Sequence, residues 1–461
     1  MANLRRINQE DLRNHNLSVT LDTLLRAQKP MSRADLAKET GLTKATLSLL
    51  ASMLIESGVV QEGEPVVSTT YGRPSTPLEI RGGSIAGIGL QINTDGYGCL
   101  ALDLNGDTLG REWVSEDMTG TDPYEIFAKL DAMTFPLESR LKRRGCKVVG
   151  AGFALPGIVT DDMWLLVARN LGWENVNLTR FNVVRRLDVV AGNEAKMAAI
   201  AQIPGYATER APFLNVVDRT DSFIYLSTDI GIGGAVVRDG EVVMGSHGFA
   251  GEIGHLSVAM DGPLCSCGRH GCLEAFAGRR ALVEAAGIAE DGDATSSEAI
   301  DMFLQRWRAG DSDVAKVVDQ AADALVSAIA SAVNLVDVDT VLLGGLWTHF
   351  GDELATVLEG RLRSEILGYP NVKIRVFVPP VALHPSLYGA AEMGLRRFIE
   401  NPLGYMGEKW RREMLLVAGG CMVWVHGARA GISGLVLHFG KLAVLRSERG
   451  AVAQSVRACD S

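Results

Sequence analysis

The sequence has no run of 18 consecutive apolar residues, so no segment reads as a transmembrane helix. Its opening stretch, MANLRRINQEDLRNHN, has none of the apolar core of a secretory signal. Cysteine is sparse, seven in 461 residues. Without a secretion signal, that fits a reducing compartment better than a disulfide scaffold, and a cytoplasmic location is expected. No long polar tract interrupts a composition of 47% apolar and 22% charged residues. A globular chain of this length can hold two or three domains with cores of their own. An excess of positive charge is also missing: the net charge is −10, which argues against wholesale nucleic-acid binding. The distribution is uneven, however. Residues 1–60 carry +2 and the remainder −12. A DNA-binding segment joined to an acidic body has this distribution, and so does chance.

Local pattern in the first eighty residues supplies what charge does not. In MSRADLAKETGLTKATLSLLASMLIESGVVQEG, Ser32 precedes Asp35 by three positions. That spacing resembles an N-capping pair, although Glu or Gln is the usual partner. Gly41 is placed to stop that helix. Thr43 is placed to cap a second, whose Leu47, Leu50, Leu54 and Ile55 form one apolar stripe. Gly58 ends it. A short helix, a glycine turn and a second amphipathic helix make a helix-turn-helix. A preceding helix over about 17–27 would complete a three-helix core. VVQEGEPVV then reads as two short strands around a turn, a wing, and YGRPSTP follows. The second helix would lie in the major groove. Arg73 would reach the minor groove, where the potential is most negative. The candidate DNA contacts are Ser32, Thr43, Lys44, Thr46, Ser48 and Arg73. A helical hairpin that only supports the body, or docks another protein, is the competing interpretation.

Three cysteines fall within eight positions in GHLSVAMDGPLCSCGRHGCLEAFAG, and a histidine stands ten residues ahead of the first. Zinc takes four nitrogen or sulfur ligands in a tetrahedron. His255, Cys265, Cys267 and Cys272 supply one imidazole and three thiolates, with Gly268 and Gly271 letting the chain curl back. Four protein ligands leave no open position, so Zn2+ here is expected to be structural. Free cysteines or a redox pair are the plainer alternatives, and His270 is a rival nitrogen.

From about residue 84 the texture is alternating strands and helices, which indicates α/β architecture. The order is Pro156-Gly157, Asn193-Glu194-Ala195, a glycine turn at 231–234, Glu-x-Gly-His at 252–255, the cysteine motif with Glu274, and Gly344-Gly345. This order, with the head before it, resembles the ROK family of repressors, open-reading-frame proteins and sugar kinases, from about residue 12 to about 400. The resemblance implies an N-terminal winged helix-turn-helix followed by a two-lobed actin/hexokinase-like body with a sugar cleft. The expected divisions are 1–80 for the head and 81–402 for the body. Its lobes would be 81–192 plus 385–402, and 193–384. Residues 403–461 would form an appended tail in which the periodicity is lost.

The resemblance further implies a monosaccharide site built from Gly157, Asn193, Glu194, Glu252, His255 and Glu274. His255 would ligate zinc through one ring nitrogen and face the sugar with the other. Plain surface charge is the competing account of Glu252 and Glu274. The phosphate-binding pattern is altered. Where kinases of the family carry Asp-x-Gly-Gly-Thr, this chain reads LQINTDG, with Gln91 at the aspartate. A neutral amide is a poor Mg2+ partner, and side chains in place of glycines keep the backbone away from phosphate. The family's catalytic aspartate becomes Glu194. No catalytic residue is therefore expected. The expectation is a sugar-responsive regulator that binds operator DNA as a homodimer or homotetramer and no membrane. An ATP-dependent sugar kinase with an added DNA-binding head is the alternative.

Overall fold

A computed structural model describes residues 8–27, 29–65, 76–208, 216–289 and 294–406. Arg73 and residues 407–461 of the expected tail lie outside the described residues. Two compact units divide the chain, 1–400 and 401–461.

The head begins with α1 (Gln9–Leu25), earlier than apolar spacing suggests, because an Asn8–Asp11 capping box starts it. Strand β1 (Met31–Ser32), α2 (Arg33–Thr40) and α3 (Lys44–Glu56) follow. Gly41 turns the chain between the two helices at φ 70°, a conformation that suits glycine. Leu17, Leu21, Leu36, Leu47, Leu50 and Leu54 form the buried core of the three helices. Strand β2 (Val60–Glu62) pairs antiparallel with β3 (Pro77–Ile80). The second wing strand expected at 66–67 lies outside the described residues. Helix α1 rests on α12 (Pro385–Glu400) of the body. There Asp22 meets Arg26 at 2.8 Å and Arg396 at 2.7 Å.

The body holds two sheets of the same topology. In the first, β4 (Ile85–Asn93), β5 (Gly96–Asp103) and β6 (Thr108–Ser115) form an antiparallel meander. Helix α4 (Pro123–Arg143) leads to β7 (Lys147–Leu155), parallel to β4. A small sheet of β8 (Ile158–Val159), β9 (Trp164–Ala168) and β10 (Trp173–Asn177) follows. Helix α5 (Asn182–Arg186) then leads to β11 (Val189–Asn193), parallel to β7. Helix α6 (Glu194–Ile200) starts directly after β11 and packs against α12.

The second sheet repeats the plan. Strands β12 (Phe223–Thr228), β13 (Ile232–Arg238) and β14 (Glu241–Val242) form its meander. Helices α7 (Glu274–Ala277), α8 (Arg279–Ala285), α9 (Ser297–Arg308) and α10 (Ser312–Val336) precede β15 (Thr340–Gly345), which is parallel to β12. Helix α11 (Gly351–Glu365) leads to β16 (Arg375–Phe377), parallel to β15. Helix α12 (Pro385–Glu400) then returns to pack on β4 and β7. A short α13 (Pro402–Met406) belongs to the second unit.

Each sheet has its own apolar core. One draws its residues from 86–189 and the other from 224–376. Strand β4 is buried over its first eight residues, as a central strand covered on both faces must be. The edge strand β6 has four exposed residues and four half-buried ones. No helix among the described residues is long and apolar enough to cross a membrane.

Candidate functional site

Between the two sheets lies a cavity of about 640 Å3. Gly157, Asn193, Glu194, Glu252, His255 and Glu274 all line it. The folding of each segment explains why. Asn193 closes β11 and caps α6, its Oδ1 accepting from the Ala195 N–H at 2.9 Å. Its Nδ2 donates to the Gly157 carbonyl at 2.9 Å. One amide thus ties the Pro156-Gly157 turn to the start of α6.

Glu274, the first residue of α7, is aimed from two sides. Its Oε2 accepts from the Ile232 N–H at 3.0 Å, and its Oε1 accepts from Ser266 Oγ at 2.9 Å. Cys265 Sγ also lies 3.7 Å from Oε1, and Oε2 retains a second lone pair for a ligand hydroxyl. Burial pushes the Glu252 carboxyl above its ordinary value, and neighbouring Glu274 adds to this. Lys196 opposes it. Lys196 itself is 3% exposed and donates to the Gly248 carbonyl. No motif in the sequence points to Lys196 or Ser266: Lys196 sits two residues past Glu194 on a helix otherwise mostly apolar, and Ser266 stands between two cysteines.

The four metal candidates come together. One ligand atom from each of His255, Cys265, Cys267 and Cys272 lies within 4.8 Å of the others. His255 Nδ1 is 3.7 Å from Cys265 Sγ, and the sulfurs of Cys267 and Cys272 are 3.6 Å apart. Tetrahedral zinc with sulfur at ~2.3 Å and nitrogen at ~2.0 Å requires donors about 3.5–3.8 Å apart. The sulfur separation is far outside a disulfide, whose length is ~2.05 Å. Gly268 and Gly271 make the return possible at φ 88° and 70°, and a Cβ on Gly271 would collide with the Ala259 carbonyl at 1.6 Å. His270 is exposed, outside the group, with Nδ1 3.1 Å from the Gly262 carbonyl oxygen.

The other end of the cavity is closed on itself. Gln91 is 4% exposed beside Glu194, whose proton affinity its side chain lowers, and its Oε1 is buried without a hydrogen-bond partner among the described residues. Burial, reinforced by Asp229 and Asp95, pushes the Glu194 carboxyl up to about 8. It is therefore mostly a neutral acid at pH 7. Beside it, Arg279 joins Asp95 at 2.8 Å and also meets Asp229. No motif pointed to Arg279, whose partners are 184 and 50 positions away.

In the head, Ser32 caps α2, as its spacing from Asp35 suggests. It is 9% exposed, and its hydroxyl donates to Asp35 Oδ2 at 2.6 Å. Thr43 accepts from the Thr46 N–H at 3.1 Å, and their hydroxyls lie 2.9 Å apart. Lys44 and Ser48 are exposed on the same helix, as are Ala45, Leu49 and Ser52, which the sequence analysis did not single out.

Comparison with known proteins places this geometry. Residues 88–396 match the ROK family, and residues 20–64 match the IclR helix-turn-helix domain. A xylose repressor of Caldicellulosiruptor bescii is 27% identical over 382 residues, covering 79% of this chain and 92% of that protein. An N-acetylmannosamine kinase of Salmonella typhi is 28% identical over 251 residues, covering 53% and 82%. The crystal structure of a ROK family transcriptional regulator, a homologue of the E. coli Mlc protein, covers 86% of this chain and 99% of its own at TM-score 0.68 and 22% identity. A ROK family glucokinase from Streptomyces griseus covers 67% and 98% at TM-score 0.54 and 24% identity. The chain belongs to the ROK family, and to its branch that carries an N-terminal helix-turn-helix.

Proposed function

We propose that this protein is a sugar-responsive transcriptional repressor that does not phosphorylate its sugar. The observation that carries this is the contrast within one cavity. Glu252, His255 and Glu274 face it at one end, while Arg279 pairs with Asp95 and Asp229 at the other, beyond Gln91. A monosaccharide or simple derivative is the ligand of the first end, held by Gly157, Asn193, Glu252, His255 and Glu274, with Glu194 between the two ends as its sixth contact. A phosphate and its Mg2+ find no carboxylate at Gln91 and no glycines at Asn93 and Thr94.

Zn2+ is held by His255 Nδ1 and the three thiolates, and it is structural. It locks the loop from which His255 presents its Nε2 to the cavity. Lys44 and Ser48 of α3, with Thr43 and Thr46 at its start, contact operator DNA, and Arg73, which follows the wing in sequence, adds to them. The working species is a cytoplasmic homodimer or homotetramer. Sugar acts by binding one lobe arrangement better than another.

The relatives named as kinases support the runner-up, an ATP-dependent sugar kinase with a DNA-binding head. One experiment separates the two. A panel of D-xylose, D-glucose and N-acetyl hexosamines is screened by thermal shift, and ADP release is followed with Mg-ATP. Stabilisation of roughly 2.7 kcal/mol at 100 times the dissociation constant, without ADP release, is the expected result. Sugar-dependent ADP release overturns the proposal. Selection from a random duplex library tests the head. Lys44→Ala is expected to weaken the selected duplex evenly across sequences, as a phosphate contact does.

A further inference from the structure

Arg279 opens α8, five residues after Glu274. Its side chain is nearly buried. Nη1 donates to Asp95 Oδ1 at 3.1 Å and to the Thr295 carbonyl at 3.0 Å. Nη2 donates to Asp95 Oδ2 at 2.8 Å and to Asp229. The two carboxylates have equivalent addresses. Asp95 lies in the turn between β4 and β5, the first hairpin of the first sheet. Asp229 lies in the turn between β12 and β13, the first hairpin of the second. The repeated topology thus brings one turn from each lobe onto a single guanidinium.

We propose that Arg279 is a positioning residue for the cleft, bridging the two lobes through Asp95 and Asp229 and so fixing the distance between their ligand-holding groups. The first lobe supplies Gly157 and Asn193, with Glu194 just beyond; the second supplies Glu252, His255 and Glu274. The identity of what they hold rests on the sugar-responsive function proposed above, whereas the bridge itself does not. Two physical points support it. A planar guanidinium satisfies one carboxylate with two parallel bonds and still reaches a second. Without it, two carboxylates face each other across the lobes with no cation between them, which favours separation. The bridge is also tied to the ligand end. Cys272, Glu274 and Arg279 lie on one short stretch, and Glu274 is pinned to the same β12–β13 turn through the Ile232 N–H. A ligand that pulls on Glu274 therefore pulls on the bridge.

The test is hydrogen–deuterium exchange on the full chain, without sugar, comparing wild type with Arg279→Gln, Arg279→Lys and Asp95→Asn. Exchange is expected to rise several-fold in both turns, 93–96 and 228–231, in Arg279→Gln. Asp95→Asn is expected to loosen 228–231 as well, although that turn belongs to the other lobe. Arg279→Gln combined with Asp95→Asn should exchange no faster than Arg279→Gln alone. Arg279→Lys keeps the charge and is expected to show a smaller rise. A merely local role for Arg279 would change exchange around α8 and leave 93–96 untouched, and that result overturns the proposal. If Arg279→Gln does not fold, Asp95→Asn decides: unchanged exchange at 228–231 overturns the bridge. Thermal shift with D-xylose and D-glucose adds a second readout, with Asp95→Asn expected to weaken apparent affinity several-fold. A wild type that responds to no sugar counts against the sugar function, while the exchange result still decides the bridge.

Discussion

The two ends of the cavity are built from similar residues and satisfied in opposite ways. At the metal end, neighbours aim the polar groups but leave them capacity. Glu274 Oε1 meets Ser266 and Cys265, while Oε2 takes one bond, from the Ile232 N–H, and retains a lone pair. At the turn end, the charges satisfy one another: Arg279 spends its guanidinium on Asp95, Asp229 and a carbonyl, and only the neutral Gln91 keeps an unpartnered oxygen, buried beside Glu194. The lesson is that the presence of polar residues does not make a binding site. What matters is whether their bonding capacity is already spent inside the protein.

The largest test of this contrast removes the knot behind the open end. Cys267→Ser takes one ligand from the Cys3His set, and structural zinc contributes folding energy outright. Elemental analysis is expected to show metal falling from one ion per chain to a small fraction. The melting temperature should fall by about 10 °C or more, and the sugar response should vanish with it. A metal-free variant that still responds fully to sugar would mean that the open end is held by something else.

Next in size is the ligand end itself. Glu274→Gln keeps the length of the side chain and loses the charge. Hydrogen bonds to charged groups contribute ~1.5–3 kcal/mol, so sugar affinity measured by calorimetry should fall roughly 10–100-fold. Gln91→Asn, at the closed end, should change it several times less. Equal losses from both would erase the distinction.

Much of this was legible in the sequence because it is local. The Ser32–Asp35 spacing, the Gly41 turn, the apolar stripe on α3 and the cysteine spacing each depend on neighbours a few residues apart. The Asn193 and Glu252–His255 positions were carried by family resemblance. What the sequence hid is long-range. The wing strand β3 arrives only at Pro77, well after β2 has ended at Glu62, and no short-range period marks it. The Arg279 bridge joins residues 184 positions apart. Gln91 stood out only against the family's phosphate-binding pattern, and its place beside Glu194 required the fold.

A smaller effect is expected from Gln91→Asp, which restores the residue type that kinases of the family carry. Turnover of Mg-ATP should stay at background for every sugar tested. Asn93 and Thr94 still stand where glycines would be needed. A new carboxylate beside Glu194 would push its proton affinity higher, and the site would then hold its proton still more firmly at pH 7. ADP release above background in this variant would show that a single residue keeps the end closed.

The finest test concerns the proton on Glu194. Its folded value is about 8, against an ordinary value of 4.5, chiefly because the carboxyl is buried. The unfolded chain gives up this proton above pH 4.5, while the folded chain keeps it until about pH 8. The stability that goes with holding the neutral acid is therefore complete below pH 4.5 and is lost as the pH rises through 8. Glu194→Gln keeps a similar shape and cannot ionise. Wild type and variant should melt together near pH 4.5 and diverge as the pH rises. Above pH 8 the variant should melt higher, by roughly 2–4 °C for each kcal/mol relieved. A variant that melts lower there would mean that the folded protein needs Glu194 charged. The turn end would then hold a free carboxylate facing the cavity, and the contrast between the two ends would lose its clearest member.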